Sequence, residues 1–325
     1  MPHMVDFQPL ESLTHADQDL RFLVFAHVHY PDIWEAMASE LALAIKVPFG
    51  VVVTHCQVDA PIVRPNTPYL RYFRQLRVEN RGRDVLPLLR ALEADLPSSD
   101  LALKIHTKRS PHRMDGADWR AAMCASLLKF NDSGLLALQL LEQDERIGLI
   151  APAGHYLPLR GRLTLNRRRM KKMLQVVLAK PVTNLEEHRF PAGSMFWFRR
   201  SCLLPFQATQ LEQQFSVERG QLDATAAHAA ERLFALVVEE SGKVAMGMEA
   251  VEPILLQQKE GLMPKADMKA LVEKCAQHEP NPYIIPLANH WRRYPALFLA
   301  AHIAYVYLPR WLTRAMRNGM QRVLR

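Results

Sequence analysis

The sequence has few cysteines and no long apolar run. Its four cysteines lie at positions 56, 124, 202 and 275, and they form no CxxC pair. This spacing predicts neither a disulfide framework nor a structural zinc site, and it fits a reducing cytoplasm. Because no uncharged apolar segment reaches roughly 18 residues, we predict no transmembrane helix. The first 20 residues carry four acidic side chains, which is unlike a signal peptide.

The C-terminal tail contains no acidic residue, so most of the net charge of the chain comes from the tail. The chain has a formal charge of +8, yet residues 291–325 contain seven arginines and no acidic residue. The rest of the chain is therefore nearly neutral, and we expect no nucleic-acid partner. In residues 290–325 the arginines are interspersed with aromatic and aliphatic residues, which predicts helices lying on an anionic membrane surface.

The composition and the periodicity indicate one large α/β domain. The chain is 49% hydrophobic and 23% charged, which is ordinary for a globular protein. Strand and helix patterns alternate, which predicts a mostly parallel, Rossmann-like sheet flanked by helices. The predicted strands are 20–29, 49–55, 76–79, 101–106, 146–151 and 243–248. The predicted helices are 32–45, 84–96, 119–130, 135–142, 166–180 and 221–240. We divide the chain into an extension 1–19, a domain 20–250, a wrapping segment 251–289 and the tail 290–325.

The strand 101–106 ends in a cluster of cationic side chains. Lys104, His106 and Lys108 would project from one face of this strand. Unpaired charge in a core is costly, so the simplest explanation is an external anion, of which phosphate is the commonest. The alternative is an ordinary solvated strand end.

The polar turn before the helix 84–96 has a similar character. Arg81 and Arg83 offer guanidinium groups that can bind phosphate through two hydrogen bonds. Asp84 stands where a helix needs an N-cap residue. The turn therefore either contacts a nucleotide or only caps the helix.

Two histidines end the first predicted strand. His27 and His29 lie on one face, and parallel sheets bind ligands beyond the carboxyl ends of their strands. These histidines could converge on a metal with others at the same edge. No compact ligand spacing supports a metal site, so we expect them to form hydrogen bonds to a sugar or a phosphate.

Six motifs of the chain, in order, resemble the rhamnan synthesis F family. The resemblance extends over residues 20–248. The motifs occupy residues 27–32, 80–84, 103–112, 151–154, 190–198 and 221–232. The family consists of glycosyltransferase-like proteins of rhamnose-polysaccharide and lipopolysaccharide assembly. The resemblance implies transfer of a deoxysugar, rhamnose from dTDP-rhamnose, to a cell-envelope polysaccharide, a lipopolysaccharide or a lipid-linked glycan.

The resemblance also implies the single-domain glycosyltransferase fold called GT-A. In that fold, the strand corresponding to 101–106 usually ends in an Asp-x-Asp motif that holds a metal against the donor diphosphate. Here Lys104, His106 and Lys108 take this place, so the metal is either absent or held elsewhere. We expect no cofactor, because fixed cations can stabilise the departing diphosphate in place of a metal.

The family motifs also suggest an acceptor side. Transfer needs a carboxylate that takes the proton of the acceptor hydroxyl. Asp223 is our candidate, with Glu218 as its substitute, although Asp223 could equally be the N-cap of the helix after it. Gly193 and Ser194 are expected to form a tight turn beside the acceptor, together with His228 on the predicted helix.

Two other functions are consistent with the sequence. The chain could be a non-catalytic glycan-binding or scaffold subunit that retains the fold without the metal motif. A metal-dependent hydrolase built on the strand-end histidines is the third hypothesis. For the transferase, we expect a cytoplasmic protein held peripherally at the inner face of the bacterial inner membrane.

Overall fold

A seven-stranded sheet forms the centre of the protein. The computed structural model describes residues 20–56, 62–107, 116–217 and 223–278, with five single positions between 294 and 312. The strands are β1 Phe22–Val28, β2 Phe49–His55, β3 Leu70–Arg77, β4 Leu101–His106, β5 Phe130–Asn131, β6 Gly134–Leu135, β7 Ile147–Ala151, β8 Tyr156–Pro158, β9 Arg189–Pro191, β10 Phe196–Arg199 and β11 Val244–Gly247. The helices are α1 Pro31–Ala44, α2 Val85–Leu92, α3 Gly116–Leu127, α4 Leu136–Gln143, α5 Arg167–Val177, α6 Arg200–Leu203, α7 Ala208–Leu211, α8 Ala226–Glu231, α9 Phe234–Glu240, α10 Val251–Gln258 and α11 Lys265–His278.

The large sheet is mostly parallel, with one reversed strand. Its strand order is β11-β7-β10-β4-β1-β2-β3. β10 runs antiparallel to both β4 and β7, whereas the other neighbouring pairs are parallel. Every residue of β2, β4 and β7 is buried, so both faces of the sheet are covered. The predicted α/β class and the mostly parallel sheet are confirmed.

Some predicted boundaries agree with the structure and others differ from it. β2 and β4 have the predicted limits. β3 begins at Leu70, six residues before the predicted start, and it lies at the edge of the sheet. Only two of its eight residues are buried, so its polar side chains hide the strand pattern. The helix predicted at 84–96 ends at Leu92.

The C-terminal half departs further from the expectations. The helix predicted at 221–240 is two helices, α8 and α9, and Thr225 rather than Asp223 is the N-cap of α8. The weakly patterned segment after Ala250 forms α10 and α11. The extension 1–19 and nearly all of the tail 290–325 lie outside the described residues.

Disulfides and membrane-spanning helices are both absent from the described ranges. All four cysteines are free thiols in the described residues. Each helix within these ranges is too short or too polar to cross a bilayer.

Candidate functional site

The carboxyl ends of the central parallel strands bring several predicted site residues to one edge of the sheet. His27 on β1 lies opposite Thr54 of β2 on one side and His106 of β4 on the other. Its Nδ1 is 3.1 Å from the Thr54 hydroxyl. Just beyond β4, the Thr107 hydroxyl accepts hydrogen bonds from the backbone N–H groups of His29 and Tyr30, where α1 begins. This edge is therefore built from the strand ends themselves.

Lys104 lies beneath this edge and is nearly inaccessible to solvent, with 1% of its surface exposed. Its ammonium donates to a carboxylate oxygen of Asp84, to the Ser194 carbonyl and to the Ser194 hydroxyl, the last at 2.9 Å. An ammonium has three N–H groups, so these three acceptors satisfy it completely. The sequence predicts that Lys104 faces a diphosphate. Instead, Lys104 joins β4 to two other segments inside the protein.

Asp84 provides the negative charge of this cluster. Burial alone would raise the pKa of its carboxyl, but His106, Lys104 and the hydrogen bond from Ser194 hold the pKa well below its usual range. His106 Nδ1 is 3.6 Å from the same carboxylate oxygen. Asp84 makes no side-chain cap of α2, contrary to one of the two expectations for it. The carboxylate of Asp84 therefore stays ionised at neutral pH.

His27 is neutral at pH 7 because of its surroundings. Desolvation is the main cause that lowers its pKa to about 4, and His29 and Lys104 add to it against the attraction of Asp84. Since the ring carries no charge at neutral pH, it can accept or donate a single hydrogen bond at each nitrogen. His29 lies two residues further along the chain at this edge, with Nδ1 3.6 Å from the Cys56 thiol.

The two arginines of the turn before α2 diverge. The Arg81 guanidinium donates to the Glu212 carbonyl at 3.1 Å and lies 3.6 Å from the Glu79 carboxylate. Arg83 has a positive φ of 55° and lies close enough to His228 to lower the pKa of that ring. Arg83 and Asp84 both affect the pKa of His228, so this turn lies near both groups of polar residues, whereas Arg81 is part of a separate ion-pair group.

A strained turn leads into β10. Gly193 has φ +92°, and a Cβ there would lie 2.7 Å from the Met123 sulfur. Ser194 also adopts a positive φ, of 58°, which is costly for a residue with a side chain. The Gly193 N–H donates to Glu231 at 2.7 Å, while Ser194 holds Lys104. The predicted turn exists, and it contacts α3, α8 and β4.

Asp223 lies in a second polar group, next to α8. Its Oδ1 accepts a hydrogen bond from Asn166 at 2.8 Å and lies 3.4 Å from the Arg232 guanidinium. The residue is buried, and His228 Nδ1 is 4.0 Å from the same oxygen. Three groups therefore hold this carboxylate in a fixed orientation: His228 on α8, Arg232 at the C-terminal end of α8, and Asn166 just before α5.

His228 belongs to the capping box of α8. Its backbone N–H donates to the Thr225 hydroxyl, and its Nδ1 accepts from the Thr225 N–H at 3.3 Å. Desolvation, followed by the charge of Arg83, lowers the pKa of His228 to about 3, against the attraction of Asp223. The ring is therefore neutral at pH 7, and its Nδ1 serves the helix start.

The structure joins some predicted residues and separates others. His27, Asp84, Lys104, His106 and Ser194 form one cluster. Asp223, His228 and Arg83 form a second, and Gly193 is linked to it through Glu231 on α8. Lys108 and Glu218 lie outside the described residues.

Sequence reasoning assigned no role to three residues that position these groups, namely Thr107, Asn166 and Thr225. Thr225 is a residue type that favours a helix N-cap, but the capping box usually has Glu or Gln where this chain has His228. Asn166 also precedes a helix, but its side chain makes no cap there and donates to Asp223 instead, so the sequence gives no signal of its role. Thr107 gives no such signal, because its hydrogen bonds cross from β4 to the start of α1.

A small cavity lies within the first cluster, lined by His27, Thr54, Asp84 and Lys104 among others. It has room for about one water molecule. Among the described residues, no three histidine, cysteine or acidic side chains are grouped so that they could hold a metal ion. The expectation that no metal is needed at this edge stays a prediction.

The family assignment rests on a match over most of the chain. The model of rhamnan synthesis protein F matches residues 1–243. The chain belongs to the rhamnan synthesis protein F family. This confirms the family that the six motifs predicted and associates the chain with polysaccharide biosynthesis.

Two curated relatives are similar over half of the chain. Both are called uncharacterized protein WxcX, from Xanthomonas campestris pv. campestris strains B100 and ATCC 33913. Each is 38% identical over 167 residues, which is 50% of this chain and 24% of the relative. The chain therefore matches about a quarter of the length of these proteins.

Proposed function

We propose that this protein is a glycosyltransferase that moves rhamnose from dTDP-rhamnose to a cell-envelope polysaccharide or lipopolysaccharide acceptor. Membership of the rhamnan synthesis protein F family is the single observation that carries this proposal. The mostly parallel sheet with one reversed strand is compatible with a GT-A-like domain. The polar groups at the carboxyl ends of its strands lie where such sheets bind ligands.

In this proposal the donor lies over the first cluster. His27, His29 and His106 offer hydrogen bonds to the sugar or diphosphate. Arg83, which precedes Asp84 of this cluster and also acts on His228 of the second, supplies positive charge for the leaving group. Lys104 and Asp84 act differently from the sequence-based prediction. Since both are satisfied within the protein, they position the Ser194 turn and the end of β4 and do not touch the donor.

The acceptor would lie against the second cluster and the Gly193 turn. The oxygen of the acceptor hydroxyl attacks the anomeric carbon, and the bond from that carbon to the diphosphate oxygen breaks. The hydroxyl proton passes to a carboxylate, for which we propose Asp223, with Glu218 as the substitute. Asn166 and Arg232 would keep Asp223 oriented for this step.

A transfer assay with dTDP-rhamnose tests the proposal through two neighbouring arginines. We expect Arg83→Gln to lower kcat/KM at least tenfold, because a charge near the diphosphate is lost. Arg81→Gln is the matched control, since Arg81 contacts Glu79 and Glu212 instead. We expect Asp223→Asn to lower kcat about a hundredfold or more with little change in KM. Equal activity in all four proteins would refute the residue assignment, and no transfer by the wild type to any rhamnan acceptor would refute the activity.

A second candidate is a non-catalytic glycan-binding subunit. The observation in its favour is the fully compensated charge of Lys104, which leaves that side chain no spare donor for a diphosphate. Calorimetric titration separates the two functions. A binding subunit would take up glycan and not dTDP-rhamnose, whereas a transferase would bind the nucleotide sugar as well.

We also propose that the tail 290–325 holds the protein on the inner face of the bacterial inner membrane. Its seven arginines and absent acids support attraction to anionic lipid. Flotation with vesicles containing phosphatidylglycerol should weaken when Arg314, Arg317 and Arg322 are replaced by glutamine. Undiminished flotation would exclude the tail as the anchor.

A further inference from the structure

The helix α5 presents a basic surface that the proposed activity does not use. Residues 160–180 contain eight lysines and arginines and no acidic residue. In α5 itself, the first six residues include five exposed cations and one buried methionine. The cations are Arg167, Arg168, Arg169, Lys171 and Lys172.

The inner side of α5 is fully used by packing. Met170, Met173, Leu174 and Val177 are buried, and the helix packs against α8. Spacings of three and four residues place Arg168, Lys171 and Lys172 together on the opposite side. We call these three residues the outer basic face.

Among the residues that the structure describes, counter-charges lie only at the margins of this helix. Arg167 pairs with Glu186, and Lys180 lies 2.5 Å from Glu240. Arg169 donates to the Gln214 carbonyl at 3.4 Å. Within the described ranges, no acidic group lies within ion-pair distance of the outer basic face. Three neighbouring cations are therefore left to solvent.

The position of these charges is unfavourable for the helix alone. The amino end of a helix carries a partial positive charge and favours acidic side chains. Here the first turn holds three consecutive arginines, which oppose the dipole and repel one another. Local stability therefore does not explain this sequence, whereas an external anionic surface would.

We propose that the outer basic face of α5 docks on an anionic phospholipid bilayer. Val176 is 37% exposed at the carboxyl end of the same helix, so an apolar side chain accompanies the cations, as in interfacial helices. The chain outside the tail is nearly neutral, so the basic surface is local and not part of a general polyanion-binding charge.

The location of α5 relates this surface to the candidate site. Asn166, the residue before the helix, donates to Asp223 at 2.8 Å. Docking through α5 would therefore hold the Asp223 cluster beside the lipid headgroups. The proposal does not depend on the transferase activity, because a glycan-binding subunit could use the same surface.

Vesicle sedimentation of the full chain tests the proposal. The variant is Arg168→Gln/Lys171→Gln/Lys172→Gln, and the vesicles contain phosphatidylglycerol in phosphatidylcholine. We expect the partition coefficient to fall about a hundredfold, since each basic residue near an anionic surface contributes roughly a fivefold factor. Thermal unfolding should stay at or above the wild-type temperature, because cations leave the amino end of a helix.

A matched variant removes the same charge elsewhere. Lys46, Lys259 and Lys269 are exposed lysines on other parts of the protein. We expect their replacement by glutamine to change partitioning by less than about threefold. Equal losses of vesicle binding in both variants would show that only the net charge matters and would overturn the proposal. Unchanged vesicle binding by the α5 variant would overturn it as well. If the α5 variant loses binding to a single-stranded oligonucleotide but not to the vesicles, the surface binds nucleic acid and the membrane proposal is wrong.

Discussion

Lys104 and Asp84 form a buried ion pair that joins the end of β4 to the turn before α2. The Lys104 side chain is 2% exposed and the Asp84 side chain 13%. Such pairs gain little net energy, but each partner depends on the other because a lone buried charge is strongly destabilising. The pair therefore makes the geometry of the candidate site part of the stability of the fold.

Replacing one residue of this ion pair should destabilise the fold more than replacing both. We expect Lys104→Met to lower the free energy of unfolding by about 3–5 kcal/mol, since Asp84 is left buried and uncompensated. The double variant Lys104→Met/Asp84→Asn should lose less. Urea denaturation measures both.

The exposed pair Lys129–Glu252 is the control for this prediction. Its side chains are 53% and 57% exposed at a distance of 2.5 Å. Lys129→Met should cost less than about 1 kcal/mol. A double variant at the buried pair that is as unstable as the single one would contradict the account.

Stability should decrease on acidification because of His27. Its pKa is about 4 in the folded protein and about 6.5 when unfolded, so between these values only the unfolded chain binds the proton. The folded state should lose up to about 3 kcal/mol as pH falls through this window. Urea midpoints between pH 7 and pH 4 give the slope, which His27→Gln should reduce. An equal slope in that variant would contradict the prediction.

His188 should have the opposite dependence on pH. Its Nδ1 lies 2.7 Å from Glu239, and this hydrogen bond is the largest of the causes that raise the pKa of the ring. The stabilisation is fully present below the unfolded pKa of about 6.5 and is lost as pH rises through the folded pKa. An NMR titration of His188 should show a raised pKa that returns towards 6.5 in Glu239→Gln. A ring that titrates normally in the wild type would exclude the interaction.

The Gly193 turn can be tested against a glycine with a similar backbone conformation. Gly193 and Gly242 both have positive φ, +92° and +84°, but of the two only Gly193 has other atoms close to the place that a Cβ would occupy. Gly242→Ala should cost about 1–2 kcal/mol from backbone conformation. Gly193→Ala should cost roughly 1–3 kcal/mol more, since its Cβ would collide with Met123. Equal losses in urea denaturation would show that Met123 moves aside.

The sequence predicts the central strands well because their pattern is local. β2 and β4 are short apolar runs bounded by clear breaks, and their limits agree with the prediction. β3 is missed over Leu70–Gln75 because an edge strand tolerates polar residues along most of its length. The break between α8 and α9 is missed because no glycine or proline marks it: Arg232 and Leu233 are residues that helices readily accept.

The candidate site is harder to predict because its partners are distant in the sequence. The rule that a buried cation needs an anion applies to Lys104, but the anion is Asp84, 20 residues earlier, and not a ligand. The Ser194 contact spans 90 residues. Arg81 is drawn away by Glu79 and Glu212, and Glu212 is 131 residues later in the chain, so no local pattern separates it from Arg83.

The reversed direction of β10 determines where the segment before it lies. Phe196, its first residue, is paired with Lys104 near the end of β4, so β10 starts at the margin where its parallel neighbours finish. Residues that precede β10 thus reach this margin without a crossover. Because Gly193 leaves no room for a side chain beside Met123 and Ser194 holds Lys104, this short segment tolerates few substitutions, and the margin keeps one shape as long as the strands keep their pairing.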